Sequence, residues 1–486
     1  MSSDAFRYIA GTPAVYVHVI PGALDLHAVI DALQLQDETL VWLDSARLHR
    51  VTGRYSILGW DPWLTVRSSG GTTTITTSAS RTEVRAHPLK TLDQLLRRYA
   101  QPALSSTPVG PGLLGWFSYE LAPWIERLPQ PKPAVVPVPE SLWFGMRMML
   151  VVDHAQAQTQ WISVVDPHAP ASRAAREAAE RLEACLVRWQ QGRAADIAPA
   201  TCDVGEVEPL LTQPQFESMV HRAQAHIACG DIFQANLAHA LRASWRGSPW
   251  PLYRALRAVN PSPFACLLQT PEATIVSCSP ERLVRVRDGQ VSARPIAGTR
   301  PRSGDPAEDL VRSLELILSD KERAEHLMLV DLARNDLGRV CQVGTVRVNE
   351  LMALEDYSHV VHIVSNIEGR LRDGAGAVDV VRAVFPGGTI TGCPKIRAME
   401  LIHELEPVGR GLYTGSAGYL GFDGALDLNI LIRTIVVGDT DLAFHVGAGI
   451  VADSQPDREY DETLAKGRAL FSALDQFISS SVTHGL

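Results

Sequence analysis

The sequence predicts an α+β fold, in which helices and strands are mixed without regular alternation. Residues 1 to about 165 consist mainly of strand and turn patterns, such as the β-branched run from Thr72 to Ser78 after Gly70-Gly71. The second half adds amphipathic helices among its strands but lacks repeated strand–helix–strand units. This combination favours α+β over a doubly wound parallel sheet.

Apolar residues recur at helical spacing in several segments, namely residues 172–191, Gln213 to about Cys229, 308–334 and 395–404. A break in the third helix is expected near Ser319-Asp320. Strands are predicted at residues 274–277, 344–348, 360–364, 428–437 and 443–446. Residues 194–207 have no clear period, so we interpret them as the connection between an N-terminal region, residues 1–200, and a second unit, residues 211–480.

Composition excludes several classes of protein. The chain has 486 residues, 46% of them hydrophobic, which is ample for a large core. A formal net charge of −9 disfavours nucleic acid, because phosphates would be repelled. The seven cysteines are scattered and none forms a CxxC pair, so neither a disulfide framework nor a zinc site is expected. Neither a signal peptide nor a membrane-spanning run is recognisable, so we predict a cytoplasmic protein without a membrane partner.

Two pairs of glutamates indicate a metal site. Glu322 and Glu325 lie three residues apart in one predicted helix, and Glu459 and Glu462 repeat the spacing near the C-terminus. Residues three apart share a helix face, where two carboxylates repel unless a cation lies near them. Mg²⁺ prefers oxygen ligands and keeps several waters, so two facing pairs could hold one hydrated ion. A solvated helix face gives the same pattern and stays the alternative.

Three glycine-containing segments could bind an anion through backbone N–H groups. They are residues 295–300, residues 386–395 at the start of a predicted helix, and Gly447-Ala448-Gly449 after a predicted strand. Basic residues in or near these segments could pair with substrate carboxylates; they are Arg300, Lys395, Arg433 and Lys466. Plain turns and surface ion pairs are the alternatives. Neither a dinucleotide-binding nor a P-loop motif is present.

Two further residues are candidates for proton transfer. His362 lies inside an apolar strand pattern, where a core histidine is the commoner interpretation. Glu281 follows Pro280 at a predicted strand end. A carboxyl held near apolar neighbours can have a raised pKa and act as a general acid, whereas a helix-terminus or salt-bridge role is the alternative.

These segments occur in one order along the second half: GDIFQANL (230–237), SPERL (279–283), RPIAGTRPR (294–302), ERAEHLMLVDLARNDLGRV (322–340), YSHVVHIVSNIEGRL (357–371), FPGGTITGCPKIRAMELIHELEP (385–407), YTGSAGYLGFDGALDLNILIRT (413–434) and GAGIVADSQPDREYDETLAKGRAL (447–470). They resemble the chorismate-utilising enzyme family, which includes anthranilate synthase component I, aminodeoxychorismate synthase component I, and the isochorismate and salicylate synthases. The first half resembles the same family in fewer segments, which are LDSA (43–46), GRYSILGWDP (53–62) and GLLGWFSYEL (112–121).

The resemblance implies a role for each matching residue. Glu325 and Glu462 would be Mg²⁺ ligands supported by Glu322 and Glu459, and the metal would bind the ring carboxylate of chorismate. The substrate would be held by Arg433, Lys466, Tyr413, Gly298, Thr391, Gly447, Ala448 and Gly449. Glu281 would protonate the departing C4 hydroxyl, His362 would be an acid/base or orienting residue beside the ring, and Thr299 would lie near the attacked carbon.

The resemblance also indicates the nucleophile. Isochorismate and salicylate synthases activate water with a lysine in the segment that corresponds to GDIFQ, and this chain has Gln234 there. Water attack is therefore disfavoured and ammonia is expected. The chain has no GxCxGxQ-like nucleophile elbow for hydrolysing glutamine, so the resemblance implies a separate glutamine amidotransferase subunit as partner.

The motifs that distinguish the amine-forming members disagree. Pro295 to Thr299 resembles anthranilate synthase, since most aminodeoxychorismate synthases have PIKGT, with a lysine that attacks C2, where this chain has Ala297. Asn236, the PGGTITG loop, YTGS and DLNILIRT all resemble aminodeoxychorismate synthase. Several segments favour aminodeoxychorismate synthase, and only one opposes it. The enzyme would then act by a lysine-free route, in which a first ammonia enters at C2 and a second at C4.

The implied fold is a sandwich of two large, mainly antiparallel sheets with helices outside, to which the first half contributes strands. Related N-terminal segments can hold tryptophan, and Leu43-Asp44-Ser45 stands where a LES-like motif occurs; whether tryptophan binds here is left open. Anthranilate synthase component I is the nearest alternative. A non-catalytic chorismate- or tryptophan-binding regulatory subunit is an alternative of another class, which the presence of all four glutamates, Glu281 and His362 disfavours.

Overall fold

The computed structural model describes residues 4–9, 11–48, 52–104, 107, 109–167, 171–192, 200–356 and 360–478. The strands are β1 Asp4–Arg7, β2 Ala14–Pro21, β3 Leu40–Asp44, β4 Tyr55–Ser69, β5 Thr72–Thr77, β6 Arg81–Arg85, β7 Gly112–Phe117, β8 Ser141–Asp153, β9 Gln158–Val165, β10 Cys202–Val204, β11 Glu208–Pro209, β12 Gln234–Gly247, β13 Phe264–Gln269, β14 Thr274–Ser279, β15 Arg282–Arg287, β16 Gln290–Ala293, β17 Ile296–Pro301, β18 Arg347–Asp356, β19 Val360–Arg370, β20 Gly392–Cys393, β21 Ser416–Gly421, β22 Leu426–Asn429, β23 Thr434–Val437 and β24 Asp441–Ile450.

The helices are α1 Leu26–Leu33, α2 Pro88–Arg98, α3 Ala171–Gly192, α4 Gln213–Ala228, α5 Pro249–Val259, α6 Pro306–Leu318, α7 Asp320–Gly338, α8 Ala377–Val384, α9 Lys395–Leu405 and α10 Pro456–Leu474. Short 3₁₀ helices span Tyr119–Trp124 and Gly388–Ile390. Within the described part of the chain, no helix is both long and apolar enough to cross a bilayer.

Two large antiparallel sheets share the long strands β4 and β8, which pair along most of their length. One sheet continues from β4 to β5 and β6, and from β8 through β7, β21, β22, β15 and β16 to β19, which also carries β17 and β18. The other continues from β8 through β9 and β2 to β1, and from β4 through β3, β13, β14, β23 and β24 to β12. The predicted α+β sandwich of two mainly antiparallel sheets is confirmed.

Strands from the first half pair directly with strands from the second half. Strand β3 pairs with β13 in one sheet, and β7 pairs with β21 in the other. One apolar cluster also contains residues from both halves, among them Trp116 and Trp143 beside Val381 and Ile390. Burying these aromatic side chains excludes water from the sheet interface and fixes the position of the loops at its edges.

The predicted helices and the helix break are confirmed. Helix α6 ends at Leu318 and α7 begins at Asp320, because Ser319 is an N-cap whose hydroxyl accepts a hydrogen bond from the Glu322 N–H at 3.4 Å. The break therefore lies immediately before the first glutamate pair. Helix α7 places Glu322 and Glu325 on one side of the helix.

Three predicted strand boundaries are wrong. The run from Leu428 to Val437 is interrupted after Asn429 and resumes at Thr434. The strand expected from Gly344 begins only at Arg347. Gly447-Ala448-Gly449 lies inside β24 and not after a strand, because its backbone pairs with residues 236–238 of β12. These glycines therefore form part of a sheet surface.

Candidate functional site

Glu281 is a buried carboxyl in the turn between β14 and β15. Its Oε1 accepts a hydrogen bond from the Thr389 hydroxyl at 2.9 Å. Burial raises the pKa of Glu281 to about 7, although the Thr389 bond and the charge of Arg433 oppose that rise. A carboxyl with this pKa is protonated in a substantial fraction of molecules at neutral pH and can donate a proton, as predicted for a general acid.

Glu281 and Thr389 both line a cavity. Its apolar lining includes Leu283, Leu332 and Ile430. Such surroundings disfavour the charged form of a carboxyl, which accounts for the direction of the pKa shift.

Arg433 lies in the interruption between β22 and β23 and has a left-handed backbone, with φ of 51°. That conformation is unfavourable for a residue with a Cβ and recurs at functional sites. The carbonyl of Arg433 accepts a hydrogen bond from the Cys278 N–H at 3.1 Å, which fixes the segment. Its charge lowers the pKa of both Glu281 and His362, so this cation is close to both.

His362 is a buried residue of β19, as its apolar surroundings predict. Its Nδ1 lies 3.3 Å from the carbonyl oxygen of Gly298. Since a carbonyl only accepts, Nδ1 carries the proton and Nε2 is left as an acceptor. Burial and then Arg433 lower the pKa of His362 to about 4, so the imidazole is neutral at physiological pH. It can orient a substrate group but does not act as a cationic acid.

Gly298 is held between His362 and the first glutamate pair. Its φ is 62°, and a Cβ there would lie 2.9 Å from Glu322 Oε2 and 2.8 Å from Leu316 Cδ1. The positive φ thus favours glycine here, and a side chain at this position would displace the ends of Glu322 and Leu316. Glu322 also accepts a hydrogen bond from Arg300 Nη1 at 3.0 Å, so the predicted cation Arg300 binds a glutamate of the site.

The neighbouring positions of the PIAGT segment lie in β17. The backbone of Thr299 is opposite His362 and that of Ala297 is opposite Ile363, with a bulge between them. The Thr299 side chain lies outside the described residues, as do residues 357–359 of the YSHVV motif. Ala297 provides no nucleophilic atom.

Gln234 and Glu325 are in direct contact. Gln234 Nε2 donates to Glu325 Oε1 at 3.1 Å, and a Cβ on Gly449 would collide with the Gln234 amide. Gln234 Oε1 is buried and has no hydrogen-bond partner among the described residues. Gly449 therefore leaves room for the Gln234 amide and the Glu325 carboxylate at the end of β24.

Thr391 supports the glycine loop. It is fully buried, and its hydroxyl donates to the Gly387 carbonyl at 2.9 Å while its own carbonyl accepts from the Asn236 N–H at 2.8 Å. These bonds attach the loop to β12. Thr391 thus holds the loop that carries Thr389, and its hydroxyl is already engaged there.

Tyr413 reaches the glycines of β24. A Cβ on Gly447 would lie 2.7 Å from the Tyr413 hydroxyl oxygen. The Tyr413 ring stacks on His445 with centroids 5.2 Å apart and planes at 11°. Burial raises the pKa of Tyr413 to about 12, so its hydroxyl is a hydrogen-bond donor at neutral pH. Ala448 is fully buried and lies opposite Leu237.

The second glutamate pair lies on α10, which packs on β24 where Gly467 meets Val446. Glu462 and Lys466 form an ion pair of 2.8 Å with half-exposed side chains, and Glu459 is partly buried. Among the described residues, no three acidic, histidine or cysteine side chains are placed to hold a metal. The two pairs are therefore not assembled into a closed ligand set.

The donor chemistry nevertheless fits Mg²⁺. Glu325 accepts a hydrogen bond from the Gln234 amide nitrogen, the amide oxygen of Gln234 has no partner among the described residues, and Glu322 lies one turn away on the same side of α7. Carboxylate and amide oxygens are the ligands that Mg²⁺ takes, with water and substrate oxygens completing its shell. An open set of this kind suits an ion that binds together with substrate.

Two contributors were not singled out from the sequence. The sequence pattern places Thr389 only within a glycine-rich loop, and no sequence pattern predicts a role for Arg410. Arg410 donates to the Ile390 carbonyl at 2.9 Å and to the Asn236 carbonyl at 2.7 Å, so it connects the loop to β12. The motif GRGLYTG contains the arginine, but nothing in its spacing indicates that it is buried.

Asp44 of the N-terminal LDS motif is engaged within the chain. It is buried, and its Oδ2 accepts from the Tyr253 hydroxyl at 2.9 Å and from Arg257 Nε at 2.5 Å. The carboxylate therefore already has a cation and a hydroxyl as partners.

A two-sheet fold that places a buried acid and a neutral histidine near Arg433 is an arrangement suited to an enzyme that acts on a small anion. The chain belongs to the chorismate binding enzyme family, whose model matches residues 41–472. It is therefore a chorismate-utilising enzyme.

Relatives within this family differ in name. The chain is 45% identical over 375 residues to an anthranilate synthase component I-like protein of Synechocystis, covering 76% of this chain and 73% of that one. It is 41% identical over 436 residues to aminodeoxychorismate synthase component 1 of Bacillus subtilis, covering 90% and 91%. The crystal structure of anthranilate synthase component I from Streptococcus pneumoniae matches with a TM-score of 0.75 at 32% identity, covering 87% of this chain and 93% of that one.

Proposed function

We propose that the protein is component I of an aminodeoxychorismate synthase, which converts chorismate and ammonia into 4-amino-4-deoxychorismate for the synthesis of 4-aminobenzoate and folate. Overall the C4 hydroxyl is replaced by an amino group and one water is released. Ammonia would come from a separate glutamine amidotransferase subunit in the cytoplasm.

The observation that carries the proposal is the contrast between Glu281 and Gln234. Glu281 is a buried acid with a pKa of about 7, suited to protonating a departing hydroxyl. Gln234 has an amide, which does not titrate, and this amide is bonded to Glu325. The site therefore has an acid for the leaving group and no base at position 234 to deprotonate water, which supports an amine nucleophile.

Glu325 and Glu322, with Glu462 and Glu459 from α10, would hold Mg²⁺ together with the ring carboxylate of the substrate. When bound, the ion would neutralise that carboxylate and polarise the ring. Engagement of Glu462 would require it to leave Lys466, which would release the ammonium group for a substrate carboxylate. Arg433, the Tyr413 hydroxyl and the glycines of β24 would hold and orient the remaining anionic groups.

Amination at C4 with retention needs two displacements. Ammonia attacks C2, the ring double bond shifts, and the C4 hydroxyl leaves as water after receiving a proton from Glu281. The product of this first step is 2-amino-2-deoxyisochorismate, an intermediate that is not covalently bound to the protein. A second ammonia then attacks C4, the double bond returns, and the C2 amine leaves as ammonia. Neutral His362 would orient the ring in both steps.

This route suits a chain that has Ala297 in its PIAGT segment, because the first nucleophile is not a side chain. Asn236, the PGGTITG loop, YTGS and DLNILIRT favour the same product. The alternative is anthranilate synthase component I, which PIAGT itself favours and which would also eliminate pyruvate. A non-catalytic regulatory subunit is disfavoured by the intact Glu281–Thr389 pair.

Product analysis tests the proposal. Purified protein with chorismate, Mg²⁺ and ammonium is coupled to a 4-amino-4-deoxychorismate lyase, and the aromatic amine is identified. We expect 4-aminobenzoate; anthranilate as the sole product would establish the alternative. No turnover with Mg²⁺ would support the regulatory subunit.

A further inference from the structure

A second cavity lies between the segment 119–132 and helix α9. It shares no lining residue with the cavity beside Glu281. Met399 and Ile402 belong to its apolar lining, and Glu120, Lys132 and His403 are polar groups at its surface.

Glu120 is an acid of the cavity lining whose carboxylate is stabilised by hydrogen bonds and by the nearby charge of Arg410. Its Oε1 accepts the Gly411 N–H at 2.9 Å, and it forms no ion pair with a described residue. The nearby guanidinium of Arg410 is fully used, since its five N–H groups serve both carboxylate oxygens of Glu406, two carbonyls and the Thr414 hydroxyl. Lys132 Nζ donates to the Glu406 carbonyl at 2.5 Å.

The lining of the cavity also includes Tyr119. The Tyr119 hydroxyl is buried without a hydrogen bond to any described residue. Burial of such groups is unfavourable unless a ligand satisfies them. A carboxyl without an ion-pair partner among the described residues and a hydroxyl that needs a hydrogen bond, next to apolar walls, fit a primary ammonium group on a compact apolar body.

We propose that this cavity is a second binding site, which takes a small primary amine with an apolar body. The ammonium group pairs with Glu120, and the apolar body packs against Met399 and Ile402. This inference is independent of the product assigned above, because binding is measured without chorismate.

Arg410 forms part of the cavity wall and contacts the catalytic loop directly. It donates to the Ile390 carbonyl, adjacent to Thr389, and to the Asn236 carbonyl of β12. Its partner Glu406 accepts the Ala238 N–H at 2.9 Å. The cavity wall therefore includes a residue that positions both the loop and the strand of Gln234.

The affinity should depend on pH in a defined direction. Burial raises the pKa of Glu120 to about 7, so its carboxylate form, which pairs with an ammonium group, increases from pH 6 to pH 8. The other groups facing it are Arg410 and Glu406, paired with each other, Lys132, Tyr119 and His403. Burial, and then the charge of Lys132, lower the pKa of His403.

Isothermal titration with 2-phenylethylamine at pH 6 and pH 8 tests the site. We expect tighter binding at pH 8 and, in Glu120→Gln, binding weakened about tenfold or more with the pH dependence lost. The Val408→Phe variant, which narrows the cavity and keeps its charges, should also weaken binding. Glu126→Gln, which alters an acid of the same segment that pairs with Arg339, is the matched control and should bind normally.

Two further binding measurements test where the amine binds and which of its chemical groups is recognised. 2-Phenylethanol, which has no ammonium group, should bind at least about tenfold more weakly. Saturating Mg²⁺ should leave amine binding unchanged, since the glutamates of α7 lie outside this cavity. Displacement by Mg²⁺, equal binding to Glu120→Gln and wild type, or no binding at either pH would each overturn the proposal.

Discussion

Gln234 Nε2 donates to Glu325 Oε1 at 3.1 Å, a contact between residues 91 positions apart that joins strand β12 to helix α7. The amide thereby orients one glutamate of the expected Mg²⁺ site, and its own Oε1 is left without a partner among the described residues. At the same place the isochorismate and salicylate synthases are expected to have a lysine. This contact connects metal binding to the choice of nucleophile.

Replacing Gln234 should weaken metal binding. In Gln234→Leu the side chain keeps its approximate volume but loses the amide NH₂ and the amide oxygen. Glu325 therefore loses the donor that orients it. Changes of this kind cost about tenfold or more in metal affinity. Titration of Mg²⁺ in the presence of chorismate should show that loss, and Gln213→Leu, on the surface, should not. Unchanged affinity in Gln234→Leu would separate this residue from the metal site.

Replacing Glu281 should remove the proton donor and leave the fold intact. The Glu281→Gln variant keeps the shape and can still accept the Thr389 hydrogen bond, but an amide cannot protonate a leaving hydroxyl. We expect kcat to fall by about 10² to 10⁴ with little change in Tm. Glu272→Gln, which alters a partly exposed acid, is the control. A variant with near wild-type kcat would exclude Glu281 as the acid.

The pH profile should follow the pKa of Glu281. The acid must be protonated, so kcat/KM should fall as the pH rises through about 7. The Thr389 hydrogen bond stabilises the carboxylate and lowers this pKa. Thr389→Val should therefore move the falling limb to higher pH, whereas Thr389→Ser, which keeps the hydroxyl, should resemble wild type. A limb that moves to lower pH would contradict this assignment.

The elements of the site were predictable where local patterns determine them. Ser319 breaks the helix because a serine hydroxyl caps the next N–H groups, and the spacing of Glu322 and Glu325 then fixes their common side. The strand placement of His362 follows from its apolar neighbours. These features need only short-range information.

Long-range contacts were not predictable from one sequence. Glu281 and Thr389 are 108 positions apart, and neither spacing nor periodicity indicates that the hydroxyl meets the carboxyl. The strand predicted from Leu428 to Val437 fails because Arg433 adopts a left-handed backbone, which only the tertiary fold imposes. Gly447 to Gly449 resembles a loop in sequence but pairs as a strand, since the glycines make room for Tyr413 and Gln234.

Gly298 should tolerate no side chain. Gly298→Ala would combine an unfavourable positive φ with contacts of 2.8 Å to Leu316 and 2.9 Å to Glu322. We expect a loss of stability of about 1–3 kcal/mol and at least about a tenfold loss of kcat/KM. Gly289→Ala is the matched control, since φ there is 73° and nothing lies within 4 Å. Equal activity of the two variants would show that crowding at Glu322 is unimportant.

His362 should stay neutral throughout the working pH range. With a pKa of about 4 and Nδ1 directed at the Gly298 carbonyl, its ring should be the Nδ1-protonated tautomer from pH 6 to pH 8. Long-range ¹⁵N–¹H NMR of imidazole-labelled protein measures this directly, with His362→Gln used for assignment. An imidazolium signal at pH 7 would contradict the orienting role.

L-Tryptophan should have little effect on this enzyme. Asp44, in the segment that resembles a tryptophan-binding motif, is already bonded to Tyr253 and Arg257. A ligand ammonium group would have to displace that buried ion pair, which is costly. Initial rates with and without millimolar L-tryptophan should agree. Strong inhibition in wild type that disappears in Asp44→Asn would show instead that the motif is a working site.

The identity of the aromatic amine tests the central claim most directly. The protein is incubated with chorismate, Mg²⁺ and ammonium at pH 8, with and without a 4-amino-4-deoxychorismate lyase, and both 4-aminobenzoate and anthranilate are quantified by chromatography against standards. Our account predicts 4-aminobenzoate only when the lyase is present. Anthranilate formed equally with and without the lyase, and no 4-aminobenzoate, would contradict it.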